Sequence, residues 1–239
     1  MTRMLFRENP YRSEAPARVA GHTQEGGIVL DATLFYPTGG GQPGDSGRLI
    51  WAGGEIGIAT TIKAGNDAIA LVPAEAAALP PVGAEVAQCL DWERRHAHMR
   101  MHTALHLLSA VVALPVTGGS VGAGRGRLDF DMAEAPADRP ALEARLNALI
   151  DRDFTVTEHW IDEDELDADP GLVRTLSVRP PRGAGRIRLI GIGAGTDRVD
   201  LQPCGGTHVA RTAEIGRLRL GRIEKKGRRN RRITLHLDA

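Results

Sequence analysis

The fold turns on one stretch, DWERRHAHMRMHTALHLLSAVVAL, residues Asp91–Leu114. Its apolar residues Met101, Leu105, Leu108 and Val112 recur at the three- and four-residue offsets of one buried helix face. Asp91 is placed to cap the start of that helix, and Pro115 to help end it. His102 and His106 stand four apart, so a helix points both at the same spot. His98 extends their stripe by one more turn.

Upstream of Asp91 the chain reads as β structure. Val19–His22 and Gly27–Leu34 are short extended runs with Gly26-Gly27 as turn chemistry between them. Leu49–Trp51, Ile56–Lys63 and Ala68–Val72 fit further strands. FYPTGGGQPGDSG (Phe35–Gly47) is too rich in Gly and Pro to be a helix or a central strand. ALPPVGAEV (Ala78–Val86) carries a Pro-Pro and looks like the end of a unit. A small glycine-rich, barrel-like β domain is therefore expected over residues 1–90, and a second domain over 91–239.

Downstream, RPALEARLNALIDRD (Arg139–Asp153) predicts another helix, with Pro140 near its first turn and Leu142, Leu146, Leu149 and Ile150 on one face. GRLDFD (Gly126–Asp131), Thr155–Ile161, Arg186–Ile192, Arg217–Ile223 and Arg232–Leu237 fit strands, and DADPGLVRTL (Asp167–Leu176) a short helix. The expected class is α+β, the second domain packing helices on a mostly antiparallel sheet.

Lys plus Arg and Asp plus Glu each number 30, so net charge does not point to a polyanionic partner and local charge must decide. The 2 cysteines, Cys89 and Cys204, form no CxxC, which argues against a disulfide framework and for a reducing compartment. The start of the chain has no run resembling a signal sequence, and no stretch reaches the length of a membrane span. A soluble, cytoplasmic protein with no membrane partner is expected.

A second ligand pair lies far along the chain in PCGGTHV (Pro203–Val209). Gly205 and Gly206 permit a sharp turn that brings the Cys204 thiolate and the His208 imidazole to one centre. Either pair alone reads more simply as packing or surface polarity. Together His102, His106, Cys204 and His208 make a reasonable set for one zinc ion per chain. Thr103 stands where a metalloprotease HExxH has its glutamate, so the obvious general base is missing. Four protein ligands suit a closed structural site, whereas catalytic zinc keeps a position open. Spacing does not choose between them.

HTALHLL with CGGTHV resembles the editing domain of alanyl-tRNA synthetase and its free-standing AlaX relatives, and FYPTGGGQPGDSG resembles the glycine-rich module of the medium-sized AlaX form. DWERRHAHMRMHTALHLL, GRLDFD and IEKKGRRNRR (Ile223–Arg232) extend the likeness over nearly the whole chain. The resemblance implies an aminoacyl-tRNA deacylase that hydrolyses a wrong amino acid, chiefly serine and also glycine, from tRNA(Ala). It implies His102, His106, Cys204 and His208 as metal ligands, with Gln202 and Thr117 lining the substrate site. Gly40, Gly41 and Gln42 would face the acceptor end, and Lys225, Lys226, Arg228, Arg229, Arg231 and Arg232 would meet RNA phosphates. A basic run is also what a solvated hairpin carries, and GGGQ also what a tight turn carries. Two rival readings stand beside the editing enzyme: a zinc hydrolase of another ester, and a zinc-stabilised RNA-binding module without turnover.

Overall fold

A computed structural model describes residues 2–65, 67–173, 175 and 185–238. The chain divides into two compact units, Met1–His96 and Ala97–Ala239.

The first unit contains β1 (Arg3–Met4), α1 (Leu5–Glu8), β2 (Glu14–His22), β3 (Ile28–Leu30), β4 (Ala32–Thr33), β5 (Gly47–Trp51), β6 (Gly54–Ala64), β7 (Ala68–Pro73) and β8 (Glu85–Leu90). Six of these close into a barrel in the order β2-β3-β7-β6-β5-β8, so its strands have no open edge. Ile28, Leu30, Leu49, Ile69 and Leu71 fill its interior. The Pro-Pro segment does not end the unit: it leads into β8, which closes the barrel by pairing with both β2 and β5. Gln88, on the inward face of β8, accepts from the Thr33 hydroxyl (3.0 Å) and Leu34 N–H (2.9 Å) and donates to Ala32 O (3.2 Å). Its buried amide oxygen thus accepts twice and its amide nitrogen donates once, which offsets the cost of burying the group.

Within the Phe35–Gly47 loop, Gly39 and Gln42 exchange backbone hydrogen bonds of 3.0 and 2.9 Å. Gly40 (φ 57°) and Gly41 (φ 82°) turn the chain between them. Positive φ at both central residues is the two-residue hairpin geometry that favours glycine. Nearby, Arg95 is fully buried in an ion pair with Asp45 and donates to Pro10 O (3.0 Å) and Leu34 O (2.7 Å).

The second unit follows from α2 (Trp92–Val112), whose first turn lies before the division. Arg94 N–H donates to the Asp91 carboxylate at 3.2 Å, the expected cap. Then come β9 (Val116–Ser120), β10 (Arg125–Asp131), α3 (Arg139–Asp151), β11 (Val156–Asp162), α4 (Glu163–Ala168), β12 (Arg186–Ile192), β13 (Asp200–Pro203), β14 (Leu218–Gly227) and β15 (Asn230–Leu237). They form two antiparallel sheets, β14-β15-β10-β9 and β11-β12-β13, where one was expected. Helix α2 packs directly on β10. A Cβ placed on Gly126 would lie 2.6 Å from Met101 Sδ and 3.1 Å from Leu105 Cδ1, so glycine leaves the space that these two side chains of the helix occupy.

In α3, Leu142, Leu146 and Ile150 are buried, but Leu149 is half-exposed. Asn147 is buried beside them, exchanging 3.0 Å hydrogen bonds with the backbone of Leu218. The short helix expected in DADPGLVRTL begins earlier, as α4, and a 3-10 turn at Pro170–Leu172 follows. Arg174 and Leu176 of that stretch lie outside the described residues. Among the described residues no helix is long and apolar enough to cross a membrane.

Candidate metal centre

Two local structures build the centre. One turn of α2 stacks His102 above His106, and the bend after β13 returns Cys204 and His208 towards them. The four potential ligand atoms all lie within 4.8 Å of one another, a group able to hold a metal ion. Cys204 Sγ is 3.5 Å from His102 Nε2 and 3.3 Å from His208 Nε2. The bend itself does not use left-handed glycine: neither Gly205 nor Gly206 has a positive φ. Gly206 N–H donates to Cys204 Sγ (3.4 Å), and Arg188 Nη1 donates to the carbonyls of Cys204 and Gly206, both at 2.9 Å. Arg188 in turn is ion-paired with Glu158.

The rings are oriented by their other nitrogens. His106 Nδ1 is 2.9 Å from the buried Asp200 carboxylate. Thr103 donates its hydroxyl to Met99 O (3.0 Å), so its oxygen accepts from His208 Nδ1 (3.1 Å) and Val209 N–H (3.3 Å). With Nδ1 occupied, each of these rings is left with Nε2 for an ion. Such partners fix the tautomer and ring angle of a ligating histidine. The supporting roles of Asp200, Thr103 and Arg188 emerge only from the folded chain. The signal available was the Thr inside HTALH and the polar DLQ immediately before PCGGTHV.

Burial opposes ionisation of Cys204, but the charges of His102 and His208 and the hydrogen bonds from His102 and His106 outweigh it, holding the thiol well below its usual value. Burial also opposes charge on His106; the Asp200 hydrogen bond and the nearby Cys204 sulfur prevail and push it up to about 10. His208 goes the other way. Burial and the charge of His102 hold it well below the ordinary imidazole value. A thiol held low among three imidazoles is a donor set that suits a soft divalent ion.

Of the remaining sequence-predicted positions, one reaches the centre and the others fall elsewhere. Gln202 is buried on β13, its Nε2 donating to Asp200 Oδ2 at 2.7 Å, which brings it directly to the centre. Thr117 on β9 donates to Asp129 O (3.1 Å) and accepts from Asn230 Nδ2 (2.9 Å). Gly40 and Gly41 are exposed and Gln42 is buried in the first unit's hairpin turn. The basic run forms the β14–β15 hairpin, and its cations are largely matched. Arg229 pairs with Asp131, Arg232 with Asp129 and Lys226 with Glu224, while Arg231 bonds backbone carbonyls. Lys225 and Arg228 are exposed, without an ion pair among the described residues. His98 is buried on the stripe but is not in the ligand group.

Comparison with known proteins returns consistent relatives. A family model described as Threonyl and Alanyl tRNA synthetase second additional domain matches residues 187–234, and one described as tRNA synthetases class II (A) matches residues 10–94. The alanyl-tRNA editing protein AlaX-M of Methanosarcina acetivorans is 31% identical over 243 residues, spanning 98% of both chains. That of Methanosarcina barkeri is 31% identical over 241 residues, again 98% of both. The alanine–tRNA ligase of Pyrobaculum arsenaticum is 32% identical over 232 residues; the match takes in 94% of this chain but 25% of the ligase.

Proposed function

The chain belongs to the AlaX-M family of alanyl-tRNA editing proteins, and on that footing we propose that it is a free-standing deacylase clearing mischarged tRNA(Ala). The esters it removes are chiefly Ser-tRNA(Ala) and also Gly-tRNA(Ala). It works in the cytoplasm, where charged tRNA is consumed. The observation that carries the reading is the convergence of His102, His106, Cys204 and His208 with their Asp200 and Thr103 supports.

The donor set fits zinc. Tetrahedral zinc with thiolate and imidazole bonds places neighbouring donors roughly 3.3–3.6 Å apart. The sulfur-to-nitrogen distances of 3.3 and 3.5 Å agree with that requirement. When bound, the ion supplies a positive centre that polarises the ester carbonyl or positions the attacking water. An aminoacyl ester is already activated, so holding ester and water together accounts for much of the rate and no protein base is assigned.

The chain's own groups hold and select. Asp200 keeps His106 in the tautomer that presents Nε2. Because the Gln202 amide nitrogen is taken by Asp200, its carbonyl oxygen remains as an acceptor suited to the substrate ammonium. The Thr117 oxygen retains one lone pair with which to read the serine hydroxyl. A site built to bond a substrate hydroxyl rejects the analogue lacking it by up to about ten-thousand-fold. Residues 1–90 are read as a glycine-rich domain whose exposed Gly40–Gly41 turn, beside Gln42, approaches the acceptor end. In the hairpin, Lys225 and Arg228 are the phosphate contacts, with Lys226, Arg229, Arg231 and Arg232 as partly neutralised neighbours.

Deacylation of Ser-tRNA(Ala) beside Ala-tRNA(Ala), by the wild type and by Cys204→Ala, tests the reading. Clearance of the serine ester alone, lost in the variant, is expected. If the zinc-loaded protein binds tRNA yet hydrolyses neither ester, the RNA-binding module takes its place.

A further inference from the structure

One face of the β11-β12-β13 sheet is sealed: Ile187, Leu189 and Ile161 point towards Leu166 of α4. The register places the residues of the opposite face in rows. Val156, Ile192 and Asp200 form one row, and Glu158, Ile190 and Gln202 the next. Trp160 then pairs with Arg188, whose carbonyl accepts from Cys204 N–H at 3.2 Å. This face starts at the metal centre and runs outward to the edge strand β11. Burial falls along the way. Asp200, Gln202, Ile190 and Ile192 are buried, whereas Glu158 and Trp160 are exposed.

Trp160, at 38%, is one of four large apolar side chains exposed among the described residues. It is not loose. Its indole Nε1 donates to Glu158 Oε1 at 2.6 Å, and the other Glu158 oxygen is paired with Arg188, which grips the Cys204 and Gly206 carbonyls. A fixed hydrogen-bonded path therefore joins an exposed aromatic plane to the loop that carries the metal ligand. Trp160 is two strands from that loop, about 10 Å at the usual strand spacing. The Glu158 charge beside it is neutralised by Arg188, and Arg186, whose Nη2 lies 3.5 Å from Trp160 O, pairs in register with Asp162, so arginines stand against the carboxylates nearest the ring on this face.

We propose that Trp160 is the platform on which the base of the substrate's 3′-terminal adenosine stacks, its plane held by Glu158 in register with the Arg188-anchored Cys204 loop. The proposal rests on the deacylase reading and adds a nucleotide subsite to it. An exposed aromatic preset beside a reacting centre, with arginine at hand, is how single-stranded RNA ends are held, since every base offers a π face. The subsite would act in binding and leave the bond-breaking step to the metal centre.

Two measurements test it together. Deacylation of Ser-tRNA(Ala) is followed for the wild type, Trp160→Ala and Trp160→Phe, with bound zinc and thermal melting recorded for each. In parallel, tryptophan fluorescence of the wild type and Trp160→Phe is titrated with uncharged acceptor-stem hairpins that end in, or lack, the terminal adenosine. Trp160→Ala is expected to raise KM roughly tenfold, in the range of one lost base stack, with kcat and zinc content kept. Trp160→Phe should recover most of that loss. Quenching should occur only in the wild type and only with the adenosine-ended hairpin. An unchanged KM in Trp160→Ala, a fall in kcat or zinc instead of a rise in KM, or quenching indifferent to the adenosine would each overturn the proposal. A wild type that hydrolyses no ester but shows the adenosine-dependent quench would sink the deacylase reading and leave the nucleotide subsite standing.

Discussion

The metal centre and the β14–β15 hairpin both begin as clusters of like residues, and the fold treats them in opposite ways. On α2, a spacing of four sets His102 and His106 side by side, and the bend after β13 adds Cys204 and His208. In the hairpin, six basic residues within a short run are spread over two strands and their turn. Neighbours along a strand point to opposite faces, so the run divides as it folds. Half of its members, Lys226, Arg229 and Arg232, then meet an acidic partner, Glu224, Asp131 or Asp129. Proximity in sequence leaves the hairpin's cations apart, while two distant pairs bring their donor atoms together. What decides is the period of the element and the presence of groups that hold the side chains in place.

The sharpest break of the comparison is at a ligand. If the centre holds zinc as proposed, Cys204→Ala should fail to bind it and drop deacylation by more than about 100-fold, beyond what outer partners account for; metal analysis and single-turnover hydrolysis read both. The next largest effect falls on a support. Asp200→Asn should keep all four ligands yet bind zinc about 10–100-fold more weakly, as measured by chelator competition. An affinity equal to wild type would mean that His106 needs no orienting carboxylate.

In the hairpin the effects are smaller and divide in two. Arg232→Ala leaves the largely buried Asp129 carboxylate with Arg127 as its remaining partner and should cost about 1–3 kcal/mol in urea unfolding. Partial burial works against the charge on Asp129, but Arg232 and Arg127 hold its pKa below the ordinary 3.8. A lowered folded value means that the contribution is full above pH 3.8 and fades as pH falls through the folded pKa. The stability gap between the wild type and Asp129→Asn should therefore close in acid and persist at neutral pH. Lys225→Ala and Arg228→Ala should leave unfolding untouched and each reduce the salt slope of tRNA binding by about one. If Arg232→Ala altered the salt slope and not stability, the hairpin would be a phosphate surface throughout.

The sequence exposes whatever obeys one period. The α2 helix, the cap at Asp91 and the β12 bounds are legible in the sequence, but the single buried stripe on α2 is not what forms: Met101–Ser109 are buried on every side of the helix, and Val112 is only half-buried. Two strands escape the reading for a shared reason. β8 turns Gln88 inward and β13 turns Asp200 and Gln202 inward, so alternation of apolar and polar residues is broken where the buried groups are hydrogen-bonded. The interruption at Gln88 serves the barrel, and that at Asp200 and Gln202 serves the centre. β9 (VTGGS) is hidden by glycines that read as loop. The four donors that converge could be listed from sequence, but Thr103 and Arg188 could not, since their roles lie in which backbone atoms they reach after folding.

The salt bridge between Arg95 and Asp45 bears on where the chain can be cut. A fragment stopped after Leu90 would contain every strand of the barrel and still discard the guanidinium that Asp45, Pro10 and Leu34 surround. A carboxylate left buried without its counterion costs about 3–5 kcal/mol, a large share of what a small barrel has to spare. Extending the fragment through His96 restores that cation. For anyone excising the barrel, the six residues beyond the last strand, Asp91 and the first five of α2, are part of its minimal sequence.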